Sequence, residues 1–175
     1  VWRPYRERNA SLLMEMADQA LRNTGHDEIS LLSLSSGDYG CIEPLMQALM
    51  KKYYADRVAL ALPSLRVETL SETLIEEIKK TRKTSFTLAP EAGTDKMRRI
   101  INKGNTAEDL LVCVDKVFAA GWKAVKLYFM IGLPGEDQSD VEGIIDLAYQ
   151  ALRAARRRGQ VTVSLSTFVP KPHTP

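Results

Sequence analysis

Five short segments set serine, acids, an arginine and glycines directly after apolar runs. They are Ser35-Ser36-Gly37-Asp38-Tyr39, Pro63-Ser64-Leu65-Arg66, Pro90-Glu91-Ala92-Gly93-Thr94, Gly132-Leu133-Pro134-Gly135-Glu136 and Val169-Pro170-Lys171-Pro172-His173. Glycine lets a ligand approach backbone amides, and serine, acids and arginine offered together suit a zwitterion that also carries hydroxyls. Taken singly, each segment is an ordinary turn. Ser-Gly-Asp enters helices, Glu91 before Ala-Gly is a solvated acid, Arg66 pairs with Glu68 or Glu72, and Gly-Leu-Pro-Gly reverses the chain. Their weight comes from position: ligands of parallel α/β folds sit at the carboxyl ends of the strands.

The elements that must hold them there follow from periodicity. Leu12, Leu13, Met16, Ala17, Ala20 and Leu21 recur at helical spacing over Arg8 to Asn23, with Gly25 as C-cap. Ile29–Leu34, Val58–Leu62, Thr84–Ala89, Lys123–Phe129 and Val161–Phe168 read as strands, the first as a nearly continuous run of the buried parallel type. Helices are expected from Ile42 to Tyr54 with Pro44 in the first turn, from Ser71, around Asp95–Asn102, from Thr106 to Gly121, and from Ser139, where Ser139 and Glu142 match a capping box. Alternation with short connections predicts a parallel sheet with right-handed crossovers. The five parallel strands visible, plus one expected before the opening helix, predict an α/β fold of open partial (β/α)6 TIM-like barrel type over residues 1–175 as a single domain, with its first strand missing. Its bare edges then need covering, by further segments of the same protein or by a second copy. The chain opens at Val1 and closes on Pro-Lys-Pro-His-Thr-Pro, which suggests a piece of something longer.

Composition removes several classes of function. The 175 residues carry a net charge of +2, too little to argue for nucleic acid or an anionic membrane. At 45% hydrophobic and 26% charged, with no apolar run of membrane-spanning length, they suit an ordinary globular domain in a reducing, cytoplasmic setting. Cys41 and Cys113 stand far apart, and His173 has no second histidine near it, so no histidine-based metal site is expected. Neither a nucleophile elbow nor a Walker loop is present. Met14, Met16, Met46 and Met50 read as core filler, and Arg156-Arg157-Arg158 as a solvated helix end.

The ordered strings "SLSSGDY", "LPSLR", "LAPEAGT" with "INKGNT", "KLYFMIGLPGED" and "FVPKPHTP" resemble the radical S-adenosylmethionine (SAM) superfamily, and within it bacterial proteins with a B12-binding-type region. The resemblance covers essentially the whole chain. It implies SAM and a 4Fe–4S cluster as cofactors, and leaves cobalamin open. The C-x3-C-x2-C motif that holds the cluster is absent, and its family position lies upstream of Val1, so this stretch alone is expected to be inactive and no residue is assigned to catalysis. The resemblance gives Ser36-Gly37-Asp38 the place that receives the SAM ammonium, Glu91 a polar contact, Lys103 the SAM carboxylate with Arg66 as a second candidate, and Gly132, Leu133, Pro134 and Gly135 a backbone wall beside the adenine. Lys103 stands where arginine is commoner, which gives up the bidentate fork. Tyr128 and Ser166 are expected to point to the barrel interior. The partners implied are an unknown substrate, the missing N-terminal part of the same protein and a reductant such as flavodoxin or ferredoxin. Two rivals remain. One is a non-catalytic degenerate barrel serving interaction or RNA binding, which three correctly spaced upstream cysteines would exclude. The other is an aldolase-type phosphate-binding barrel, which needs a catalytic lysine at a strand end.

Overall fold

The computed structural model describes residues 6–33, 36–61, 71, 73, 75, 76 and 86–172. These fall into two compact units, one up to position 76 and one from 86 onward.

In the first unit, α1 (Ala10–Thr24) starts where Asn9 Oδ1 accepts the Ser11 amide and stops at Gly25, whose φ of 69° turns the chain out of the helix. β1 (Glu28–Ser30) pairs in parallel with β2 (Ala59–Ala61), Ile29 opposite Leu60. Between them lie a 3-10 turn at Ser36–Asp38 and α2 (Ile42–Tyr53). α2 buries Leu45, Met46, Leu49, Met50 and Tyr53, one stripe at helical spacing. Lys52 and Tyr53 of α2 both donate to Asp18 of α1. Met46 and Met50 are core, as expected, whereas Met16 is exposed. β1 is shorter than its sequence suggests, and Leu32 is 90% exposed. Among the described residues the ladder with β2 ends at Ser30, opposite Ala61. The predicted helix from Ser71 shows its first turn, with the Ile75 amide on the Ser71 carbonyl at 3.1 Å.

The second unit is a three-stranded parallel sheet in the order β3 (Phe86–Glu91), β4 (Ala124–Ile131), β5 (Gln160–Thr167). Its helices are α3 (Asp95–Ile100), α4 (Ala107–Ala119) and α5 (Gln138–Ala154). β4 shows why the sheet is two-sided. Val125, Leu127 and Phe129 are fully buried, while Lys126 and Met130 are half-buried and Tyr128 is exposed on the other face. The buried face meets the apolar stripes of α4 (Leu110, Val114, Val117) and α5 (Ile144, Leu147, Ala151). Phe86 and Trp122 close the lower end edge to face, with ring centroids 5.3 Å apart. Arg158 makes the helix-end contacts expected of it, donating to the Ala154 and Ala155 carbonyls and also to Asp115, while Arg156 stays in water.

Candidate binding site at the strand ends

β3 does not run straight to its end. Leu88 lies opposite Leu127 but Glu91 lies opposite Phe129, so β3 spends one extra residue as a bulge. Glu91 takes φ 70°, a left-handed conformation that a non-glycine adopts at a cost of about 1 kcal/mol. Lys103 Nζ lies 3.5 Å from Glu91 Oε1, and both side chains are partly open to solvent. The loop that carries Lys103 is fixed from beneath. Its amide donates to the Arg98 carbonyl at 2.7 Å. The Arg98 guanidinium, 1% exposed, donates to the Ala92 carbonyl at 2.6 Å and to Asp95. Asp95 also accepts the Ala107 amide at 3.0 Å, so one carboxylate ties α3 to the first turn of α4. The Arg98 bond, ahead of the Ala107 amide, holds the Asp95 carboxyl below its ordinary value. Buried beside this network are Arg98 Nε and the side-chain amide of Asn105, for which no hydrogen-bond partner stands among the described residues.

The exit of β3 is also locked to α5. Thr94 caps α3 by accepting the Met97 amide at 3.3 Å and donates to Asp140 Oδ1 at 2.6 Å. Lys96 Nζ reaches Asp140 Oδ2 at 2.6 Å and Asp137 Oδ2 at 3.0 Å. Asp137 and Asp140 form the capping box of α5, each side chain accepting the other's amide. The box expected at Ser139 and Glu142 is therefore two residues too late: the strand-end turn closes earlier, and Asp137 meets the first free amides of the helix. The Asp137 carboxyl is held far below its ordinary value, first by the Ser139 hydroxyl and then by Lys96. Asp140 is lowered by Lys96 and then Thr94. The two backbones touch. A Cβ built on Gly93 would lie 2.6 Å from the Asp140 carbonyl oxygen, with the Ile144 amide closer still.

β4 ends in an open turn. Gly132 and Gly135 have φ of 84° and 77°, and the Gly132 amide donates to Glu136 Oε2 at 2.5 Å. Among the described residues nothing lies within 4 Å of a Cβ built at either glycine. Leu133 is buried against Ala92 and Met97, so only its backbone is presented, while Pro134 and Gly135 are exposed.

Glu91, Lys103 and the Gly132–Gly135 turn thus share the carboxyl end of one sheet, Glu91 and Gly132 on adjacent strands. In the other unit Ser36, Gly37 and Asp38 form the 3-10 turn that follows β1, with Ser36 buried and its hydroxyl 3.3 Å from that of Ser33. Arg66 and His173 lie outside the described residues. Tyr128 and Ser166 both stand on the face of the sheet opposite Leu127 and Phe129, Ser166 with its hydroxyl on the Phe129 carbonyl. Of the locking residues, Thr94 belongs to a segment marked from sequence, but Lys96, Arg98, Asp137 and Asp140 were given no role there. A signal existed for one pair: Asp137 and Asp140, three apart after a Pro-Gly turn, fit a helix start as well as Ser139 and Glu142 do.

Parallel strands alternating with helices, with polar residues at the strand ends, define an α/β protein. The chain belongs to the radical SAM superfamily, which it matches over residues 1–148. It is 32% identical over 174 residues to an uncharacterized protein of Methanocaldococcus jannaschii, an alignment covering 99% of this chain and 37% of that protein. Over 81 residues it is 33% identical to the tRNA-2-methylthio-N(6)-dimethylallyladenosine synthase of Maricaulis maris, covering 45% of this chain and 18% of that enzyme. The chain therefore spans little more than a third of the first relative. Among the described residues no helix is long and apolar enough to cross a membrane.

The two cofactors of the family fit these residues differently. The amino-acid end of SAM, an ammonium and a carboxylate, matches the Glu91–Lys103 pair, and the open glycine turn offers a backbone shelf. A cluster does not fit. Cys113 is buried within the α4 stripe, Cys41 is a lone exposed residue at the start of α2, and no group of three ligating side chains stands together among the described residues.

Proposed function

We propose that this chain is the SAM-binding core of an enzyme that cleaves SAM reductively, with cluster ligands supplied from outside the chain. The Glu91–Lys103 pair at the rim carries this reading. At 3.5 Å it is too long for a strong charged hydrogen bond, and each partner keeps capacity for a ligand of opposite charge. A zwitterion entering there sets its carboxylate on Lys103 in place of the loose pair and leaves Glu91 free for a polar contact to the ligand. The backbone of Gly132, Leu133, Pro134 and Gly135 lies beside the adenine. Ser36, Gly37 and Asp38 keep the role of ammonium acceptors, and Arg66 that of a second cation, as the family resemblance implies. The five parallel strands are taken as part of an open (β/α)6 barrel. When bound, SAM and a 4Fe–4S cluster held from outside the chain would supply one-electron reductive cleavage of SAM, and Lys103, Glu91 and the Gly132–Gly135 backbone would hold the SAM. A flavodoxin or ferredoxin is the proposed reductant. The protein's share is to orient SAM and exclude water.

Calorimetric titration of the chain with SAM and with 5′-methylthioadenosine, which lacks the amino-acid end, tests the site. SAM should bind more tightly, and Lys103→Met should erase most of the difference. Equal affinity for both ligands, unchanged in Lys103→Met, would remove Lys103 and Glu91 from the site. A full-length protein loaded with iron and sulfide and then reduced should form 5′-deoxyadenosine from SAM; a well-loaded sample that forms none overturns the enzyme reading.

A further inference from the structure

The face of the second unit's sheet opposite Val125 and Leu127 is not a random polar surface. Pairing sets Thr87, Lys126 and Thr162 side by side across β3, β4 and β5, with Tyr128 and Ser164 in the next row toward the rim. Residues two apart on a strand share a face, so these side chains stand on the face opposite Val125 and Leu127. The Lys126 stem bends toward the rim and sets Nζ 4.7 Å from the centre of the Tyr128 ring. Among the described residues no carboxylate pairs with Lys126, and the hydroxyls of Thr87, Thr162 and Ser164 form no side-chain hydrogen bond. No acid stands on these rows. A cation on a tyrosine gains little by itself, about 0.5–1 kcal/mol at an exposed site. One ammonium and three hydroxyls thus share one face of three neighbouring strands, an array of donors with no acid among them.

We propose that Lys126, with Thr87, Thr162 and Ser164, recognises an oxyanion, a phosphate or a carboxylate, on the substrate of this protein. Only the word substrate rests on the SAM reading; the anion site stands on its own geometry. An anion held by Lys126 lies below the strand ends where Glu91 and Gly132 stand, so the remainder of its carrier extends toward the rim. Tyr128 holds the ammonium in place, and Lys126 sets the charge that the site accepts.

Nitrogen-15 chemical-shift titration of the intact 175-residue chain with inorganic phosphate and with acetate, at constant ionic strength, tests this. Saturable shifts at Thr87, Lys126 and Thr162 are expected. Phosphate at least tenfold tighter than acetate assigns a phosphate, and the reverse order a carboxylate. Lys126→Met should abolish the shifts and Lys126→Arg should keep them; Lys126→Gln serves if the methionine variant misfolds. Shifts that do not saturate, that survive Lys126→Met, or that spread evenly over other lysines overturn the proposal. SAM titration of Lys126→Met separates the two readings. SAM affinity held within twofold while phosphate is lost supports both. Absence of SAM binding with the phosphate shifts intact removes the SAM reading and leaves the anion site.

Discussion

The Thr94 hydroxyl donates to Asp140 Oδ1 at 2.6 Å while its oxygen accepts the Met97 amide, so one side chain starts α3 and joins it to the start of α5. Thr94→Val keeps the shape and removes both bonds. Loss of a helix cap and of a charged hydrogen bond at a half-buried site predicts a loss of about 1–2 kcal/mol. Urea unfolding should show a lower midpoint with an unchanged slope. An unchanged midpoint would mean that water replaces both bonds without cost.

The same junction predicts a pH dependence with two limbs. Asp137, Asp140 and Asp95 all have lowered pKa values in the folded state. Their contribution is complete above the unfolded carboxyl value near 3.9 and is lost as pH falls through the folded values. Lys96 is raised by its bonds to Asp140 and Asp137, so its contribution is complete below its unfolded value and is lost as pH rises through the folded one. Stability should therefore be flat around neutrality and fall at both extremes. Lys96→Met should shrink both limbs, since it removes the leading partner of Asp140 and the amine itself. Melting temperature followed from pH 2 to pH 11 checks this, and an acid limb unchanged by Lys96→Met would contradict it.

Gly93 and Gly132 separate two reasons for glycine. At Gly93 the obstacle is space, since the α5 backbone occupies the position of a Cβ. At Gly132 space is free and the obstacle is φ, at 84°. Gly93→Ala must push two backbones apart and should cost about 3 kcal/mol or more. Gly132→Ala should cost only about 1 kcal/mol. Gly132→Asn should recover part of that, because asparagine tolerates the left-handed region. Chemical denaturation of the three variants gives the order; equal losses at Gly93 and Gly132 would contradict the close approach.

The order of elements was legible from sequence because each has its own local signal. Thr106 with Asp109 starts α4 as read, Gly25 ends α1, and the apolar alternation of β4 places Val125, Leu127 and Phe129 inside. β4 runs two residues past its predicted end, so Met130 and Ile131 of the quoted Met-Ile-Gly-Leu-Pro-Gly string are still strand. What stayed hidden is long-range. Nothing local says that Lys96 meets Asp140 rather than Asp95, or that Arg98 rather than Arg99 turns inward. A buried arginine is legible only when the carbonyl and carboxylate that receive it are placed. The bulge before Glu91 is equally silent: the apolar run reads as a strand ending at Ala89 with Pro90 and Glu91 in the loop, whereas β3 runs on to Glu91 and its extra residue appears only against β4.

Arg98 supports the rim from below, and its removal should be felt in ligand binding as well as stability. It is 1% exposed and donates to the Ala92 carbonyl, one residue past Glu91, and to Asp95. Arg98→Met fills similar volume but leaves a buried carbonyl and a carboxylate without their donor. The carboxylate is half in water, so the loss should fall near about 2–3 kcal/mol rather than at the top of the range for a broken buried pair. Arg98→Lys supplies one point donor for two acceptors and should recover less than half. Because the Arg98 carbonyl also receives the Lys103 amide, both ends of the Glu91–Lys103 pair rest on this residue. SAM affinity should then drop in Arg98→Met at temperatures where the variant is still folded, although Arg98 contacts no ligand. A variant that loses stability yet binds SAM as the parent chain does would show that Glu91 and Lys103 are positioned by their own loops.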